Sequence, residues 1–202
     1  GIQRIPSKLL LDCTGLTQIT IPESVTTVGE GAFQGCTSLT QVSFPESLTK
    51  IEQSAFYGCK RLKEAVLPEA LTYLGGFAFG RCTGLESVYI PAGITECYDA
   101  AESIGYTIYS GGPFYLCDAL NRITFETGIT TIPKNLFYGC TGLTQLVLPD
   151  TVTRIGKKAF MNCTALKEVT FSSHLRTMEE WAFFRCSSLT RAELPEGLTD
   201  LC

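Results

Sequence analysis

The stretch Cys36–Gly58 reads CTSLTQVSFPESLTKIEQSAFYG, and 23 residues after Cys36 the chain begins almost the same wording again at Cys59. The shared pattern is Cys-x-x-Leu-x-x-Val-x-Phe-Pro-x-x-Leu-Thr-x-Ile-x-x-x-Ala-Phe-x-x, with aliphatic residues exchanging for one another. A unit of this length is one supersecondary element that cannot bury its own apolar face, so neighbours must stack on it.

Working outward from that unit, the register is strict. The anchoring cysteines are Cys13, Cys36, Cys59, Cys82, Cys117, Cys140, Cys163 and Cys186, each 23 residues from the last except for the 35-residue step from Cys82 to Cys117. The excess of 12 places an insertion in the fourth repeat, read here as residues 98–109, YDAAESIGYTIY. The spacing Leu-x-x-Val-x-Phe ends in a period of two, which predicts a short strand with alternate side chains inward. Pro22, Pro45, Pro68, Pro91, Pro149 and Pro195 then close the strand, because proline cannot donate into a ladder. A second apolar pair, such as Val25/Val28 or Leu48/Ile51, predicts a second short strand, and the Ala-Phe segment suits one helical or 3₁₀ turn.

The chain opens on GIQRIPSKLLLD, which matches GITTIPKNLFYG at 128–139, and it ends within another repeat. Neither end reads as a cap, so the expectation is one repeat domain over 1–202 cut from a longer protein, with any leader or anchor outside this window. Net charge is -4 with scattered Lys and Arg, which leaves no electrostatic footprint for nucleic acid. No apolar run reaches the roughly 18 residues that span a bilayer.

On these residues the chain resembles a leucine-rich repeat protein. The Pro after the strand, the Leu-Thr-x-Ile-Gly segment and the Ala-Phe-x-x-Cys turn are similar to the BspA-type subclass, found in bacterial cell-surface and secreted proteins and in some protozoan surface proteins. The resemblance implies an α/β right-handed solenoid of about eight repeats, with a parallel concave sheet, short strands and little regular helix. It also implies surface or extracellular display, with protein binding or adhesion as the activity.

The side-chain columns read first as architecture. Eight cysteines in one column recur at a rung spacing of about 4.8 Å, longer than the ~3.8 Å between Cβ atoms that a disulfide prefers, so they are expected as buried thiols. Cys97 falls where other repeats carry Ile51 or Leu74 and is expected in the core; roughly four rungs part it from Cys202. Phe33, Phe56, Phe79, Phe114, Phe137, Phe160 and Phe183 form a predicted spine, with Leu10 at its N-terminal end. Thr26, Thr49, Thr72, Thr95, Thr130, Thr153 and Thr199 form a predicted hydroxyl ladder. Glu23, Glu46, Glu69, Asp150 and Glu196 follow the prolines and read as solvated turn residues in preference to a cation site. The sequon Asn162-Cys163-Thr164 has its middle residue in the buried column and is discounted.

Chemistry-bearing motifs are scarce. His174 is the single histidine, in a polar turn with no acid or nucleophile spaced to converge on it. No Cys-x-x-Cys supports zinc, no glycine-rich loop supports a phosphate, and neither an enzyme nor a cofactor is indicated.

Two surfaces remain. The outward strand positions include Gln41, Arg122 and Gln145, with a second row carrying Tyr89 as its one aromatic. The insertion adds Tyr98, Tyr106 and Tyr109, and tyrosine combines a large apolar face with a polar tip. The expected partner is a protein or glycan ligand, with neighbouring domains of a longer protein beside it. The competing reading is a spacer domain without a ligand of its own.

Overall fold

The computed structural model describes the backbone of residues 1–98, 100–104 and 107–201, and their side chains except Glu96 and residues 100–104 and 107–109. In chain order the first strands are β1 (Arg4–Ile5), β2 (Gln18–Thr20), β3 (Thr27–Val28), β4 (Gln41–Ser43), β5 (Lys50–Ile51), β6 (Glu64–Val66), β7 (Tyr73–Leu74), β8 (Ser87–Ile90) and β9 (Glu96–Cys97). A hairpin follows, β10 (Ala100–Ile104) and β11 (Thr107–Gly111). The chain then resumes with β12 (Arg122–Phe125), β13 (Thr131–Ile132), β14 (Gln145–Val147), β15 (Arg154–Ile155), β16 (Glu168–Thr170), β17 (Thr177–Met178), β18 (Arg191–Ala192) and β19 (Asp200–Leu201).

Outside the hairpin every pairing is parallel and joins equivalent residues of neighbouring repeats, as Gln18 with Gln41 and Lys50 with Tyr73. The protein is therefore a parallel-strand solenoid of about eight turns of ~23 residues, with two strand faces. The longer strands, with two-residue β18, form one face and the other two-residue strands the second.

The Ala-Phe segments form turns, and no helix occurs among the described residues. The cause lies in the backbone: positive φ recurs in pairs four residues apart, as at Ser54 and Gly58, Lys158 and Asn162, and Trp181 and Arg185. Left-handed residues at that spacing cannot sit in a right-handed helix. The chain turns instead through bonds such as Phe56 N–H to Ala78 O, 2.7 Å, which tie each turn to the next.

The core is a stack of columns. Phe33, Phe56, Phe79, Phe114 and Phe137 are buried, and consecutive spine rings from Phe33 to Phe183 stack with centroids 5.0 to 5.5 Å apart. The described cysteines are free, and all of them but Cys13 are buried, Cys97 included. Thiols of the column reach back to the preceding rung: Cys59 Sγ donates to Phe33 O at 3.3 Å, Cys82 Sγ to Phe56 O at 3.1 Å, and Cys163 Sγ to Phe137 O at 3.2 Å. The residue is thus both a small apolar filler and a donor. Desolvation pushes the Cys36 thiol up to about 11 and the Cys140 thiol up to about 12. Threonine hydroxyls make the equivalent ladder outside the core, Thr49 Oγ1 donating to Thr26 O and Thr153 Oγ1 to Thr130 O.

The longer-strand face is not continuous. Neither β4 and β6 nor β12 and β14 are joined by a ladder. Each break follows a rung whose last inward residue is aromatic, Phe44 or Phe125. Phe44 stands edge-on to Phe56 and Phe79 at 5.6 and 6.4 Å, and Phe125 edge-on to Phe137 at 6.4 Å. Where Ile21, Leu67, Ile90 or Leu148 holds the position, the ladder to the next rung is complete. After Phe171 it is shortened to two pairs. An edge-on ring at this position weakens the ladder to the next rung, fully at Phe44 and Phe125 and in part at Phe171, whose ring is likewise edge-on to Phe183 at 5.6 Å.

Candidate functional site: an opening in the longer-strand face

Most of this face is closed to a partner by its own charges. Lys63 Nζ meets Glu86 at 2.7 Å, with Arg122 at 4.0 Å from the same carboxylate. Arg191 lies between Glu168 and Glu193 at 3.6 and 3.2 Å. Exposed pairs of this kind contribute little to stability.

The break between β4 and β6 is different. It forms a groove of about 460 Å³ lined by Phe44, Val66, Leu67 and Tyr89, with Glu46 and Glu69 at its rim. Val66 is 57% exposed, so the groove offers an apolar wall to solvent. The opening continues past Val42 and Val66 to Gln41, Lys63 and Glu64. Partial desolvation, then the charges of Glu126 and Glu69, hold the Tyr89 hydroxyl above its usual range. Tyr89 therefore stays neutral at physiological pH, a donor and an acceptor beside an apolar surface.

Gln41 and Tyr89 thus border one opening. Arg122 and Gln145 border the second, between β12 and β14, where Val147 is 69% exposed. Tyr98 does not join them. Its N–H donates to Leu74 O at 3.3 Å, the rung bond that Gly75 makes to Ile51 O, so Tyr98 belongs to the rung and the excursion starts after it. Its ring stacks on Tyr73 at 5.2 Å, and Lys134 Nζ lies 5.1 Å from its centroid, on the face of the two-residue strands. Tyr109 pairs with Glu102 across the hairpin, its side chain outside the described residues, and Tyr106 lies outside them altogether. Tyr98 therefore does not extend the surface that carries Tyr89. Tyr115 packs against Phe77 at 5.3 Å along the turn edge.

Sequence reasoning passed over Phe44, Val66, Glu46 and Glu69 as core, row and turn residues. The available signal was Phe at the position where neighbouring rungs carry Ile or Leu. His174 is exposed, its Nδ1 3.0 Å from Asp150 O. Among the described residues no cluster of three His, Cys, Asp or Glu could hold a metal, and no helix is long and apolar enough to cross a membrane. Asn162 sits at positive φ in a turn, followed by buried Cys163.

No curated protein matches the sequence. Among solved structures, a leucine-rich repeat protein from Bacteroides ovatus is 27% identical with a TM-score of 0.75, over 99% of this chain and 49% of that one. The chain thus spans about half the length of that relative. The leucine-rich repeat protein of T. pallidum is 22% identical with a TM-score of 0.61, over 98% of this chain and 80% of the other, and shares the fold. The model of the BspA type leucine rich repeat region matches residues 2–103 and 107–202 in six copies, and the chain belongs to that family.

Proposed function

We propose that this protein is a surface-displayed binding module that captures a ligand non-covalently on its longer-strand face. Membership of the BspA-type family supports both the display and the interaction role. The observation that carries the reading is the β4/β6 opening, where Phe44 and Val66 come to the surface beside Tyr89 while the adjoining rungs pair off their charges. An apolar floor with one amphipathic aromatic is the composition of an interface anchor. The module acts by holding its partner and not by catalysis, consistent with a lone histidine that meets Asp150 O and Ser173 Oγ.

The test is adhesion to immobilised matrix protein and to host cells. Val66→Ser combined with Tyr89→Ser is expected to weaken capture about 30-fold, the cost of losing an anchor worth ~2 kcal/mol. Substituting Tyr98 alone by Ser is expected to leave capture unchanged, because its ring stacks on Tyr73 away from this face. Full retention by the Val66/Tyr89 variant, with its circular dichroism intact, would remove this face from the account.

A further inference from the structure

We infer that the occupant of the β4/β6 groove is an extended polypeptide segment presenting a lysine or arginine between apolar side chains, a conclusion that rests on the binding reading above. Three observations converge on it.

The groove is a slot between two parallel strands that lack a mutual ladder. The backbone groups of β4 that turn toward β6 therefore have no strand partner, whereas those that turn toward β2 are laddered. The rungs stay one spacing apart behind the break, with Phe56 and Phe79 at 5.2 Å, so an occupant lies over the opening, where an extended chain can offer its own N–H and C=O groups to the unladdered backbone.

The charge at the rim is one-sided and uncompensated. Glu46 and Glu69 are exposed and, among the described residues, take part in no ion pair. They occupy equivalent positions on the two rungs that flank the break. Elsewhere on this face Glu86 is matched by Lys63 and Glu168 by Arg191. A cation placed between Glu46 and Glu69 would gain both attractions.

The wall and floor are apolar. Val66 and Phe44 can receive a branched or aliphatic side chain on either side of the cation, and Tyr89 can cover its stem. A neutral glycan would want aromatic platforms, and Tyr89 is the only aromatic in the outward rows. A nucleic acid would meet Glu46 and Glu69 as like charges.

A displayed library of random nonapeptides, panned on the folded protein, tests this directly. Enriched clones are expected to carry Lys or Arg flanked by apolar residues. As synthetic peptides they should bind Glu46→Gln/Glu69→Gln about tenfold more weakly than the unaltered protein, the scale of a lost charge-assisted contact. They should also lose affinity as salt rises from about 50 to about 500 mM, because exposed charges are screened. Enrichment of uncharged or acidic clones, equal binding to the double variant, or no binder at all overturns the inference. So does a glycan array giving ligands that Val66→Ser abolishes. If matrix capture falls with Val66→Ser/Tyr89→Ser while no cationic peptide is selected, the face still binds and only the assigned occupant is wrong. If neither capture nor peptide binding responds to either variant, both readings fall.

Discussion

Phe79 and Phe114 are 35 residues apart in the chain, yet their rings stack with centroids 5.5 Å apart and planes inclined by 11°. Every other neighbouring pair in the spine is 23 residues apart and has nearly the same geometry, as Phe56 and Phe79 at 5.2 Å. The stack therefore runs past the hairpin without interruption. Phe79 N–H donates to Pro113 O at 2.8 Å, so the turn closes as though the excursion were absent.

Removing residues 99–110 should accordingly leave a folded protein. The deletion joins Tyr98 to Gly111, the connection that Gly75 and Gly76 make one rung earlier. A change in unfolding free energy below about 1 kcal/mol in urea is expected, since surface excursions whose ends lie close together are cheap to shorten. A loss above about 3 kcal/mol would mean that the hairpin holds the rungs together.

The spine and its flanking ring should differ in cost. Phe160 is fully buried, and Phe160→Ala is expected to destabilise by about 3–5 kcal/mol. Phe44 is only partly buried, so Phe44→Ala should cost clearly less, about 1–2 kcal/mol by its exposed share. Chemical denaturation of the two variants checks the order, and the assignment of Phe160 to the spine fails if its loss is under about 1 kcal/mol.

Phe44→Leu should close the longer-strand face. With an aliphatic side chain in that position, β4 and β6 are expected to ladder as β6 and β8 do. Lys63 N–H would then find Thr40 O, as Glu86 N–H finds Lys63 O at 2.8 Å. Hydrogen exchange of the Lys63 amide should slow about tenfold or more, as it does for a newly protected group. Unchanged exchange would show that the ring is not what separates the rungs.

Alkaline pH should unfold this protein sharply. Desolvation raises the thiols of Cys82, Cys97, Cys117, Cys140 and Cys163 in the folded state. A thiol whose folded pKa is raised stabilises the fold fully below the unfolded value of about 8.5, and that contribution is lost as pH rises toward the folded value. Each buried thiol therefore withdraws about 1.4 kcal/mol per pH unit above roughly pH 8.5. Several act together, so a net stability of about 5–15 kcal/mol is exhausted within about one or two pH units. Circular dichroism under reducing conditions, with thiolate absorbance followed in parallel, should show one cooperative transition between about pH 9 and 10.5. A protein still folded at about pH 11 would show that the cysteine column ionises without cost.

The sequence by itself determined the solenoid. Its 23-residue spacing names which side chains must share a column, because a rung that cannot bury Leu39, Val42 and Phe56 alone has to hand them to its neighbours. The thiol and threonine columns were legible for the same reason, since identity at a fixed interval becomes contact once the rungs stack. Two things required the tertiary structure. The Ala-Phe segment is compatible with a helical turn in sequence, and only the backbone shows the paired left-handed residues, such as Lys158 and Asn162, that make it a turn of another kind. The groove was hidden because Phe44 obeys the apolar pattern as well as Ile21 or Leu67 does. What differs is the depth of its ring against Phe56 of its own repeat and Phe79 of the next, and that is a property of stacked neighbours as well as of the repeat.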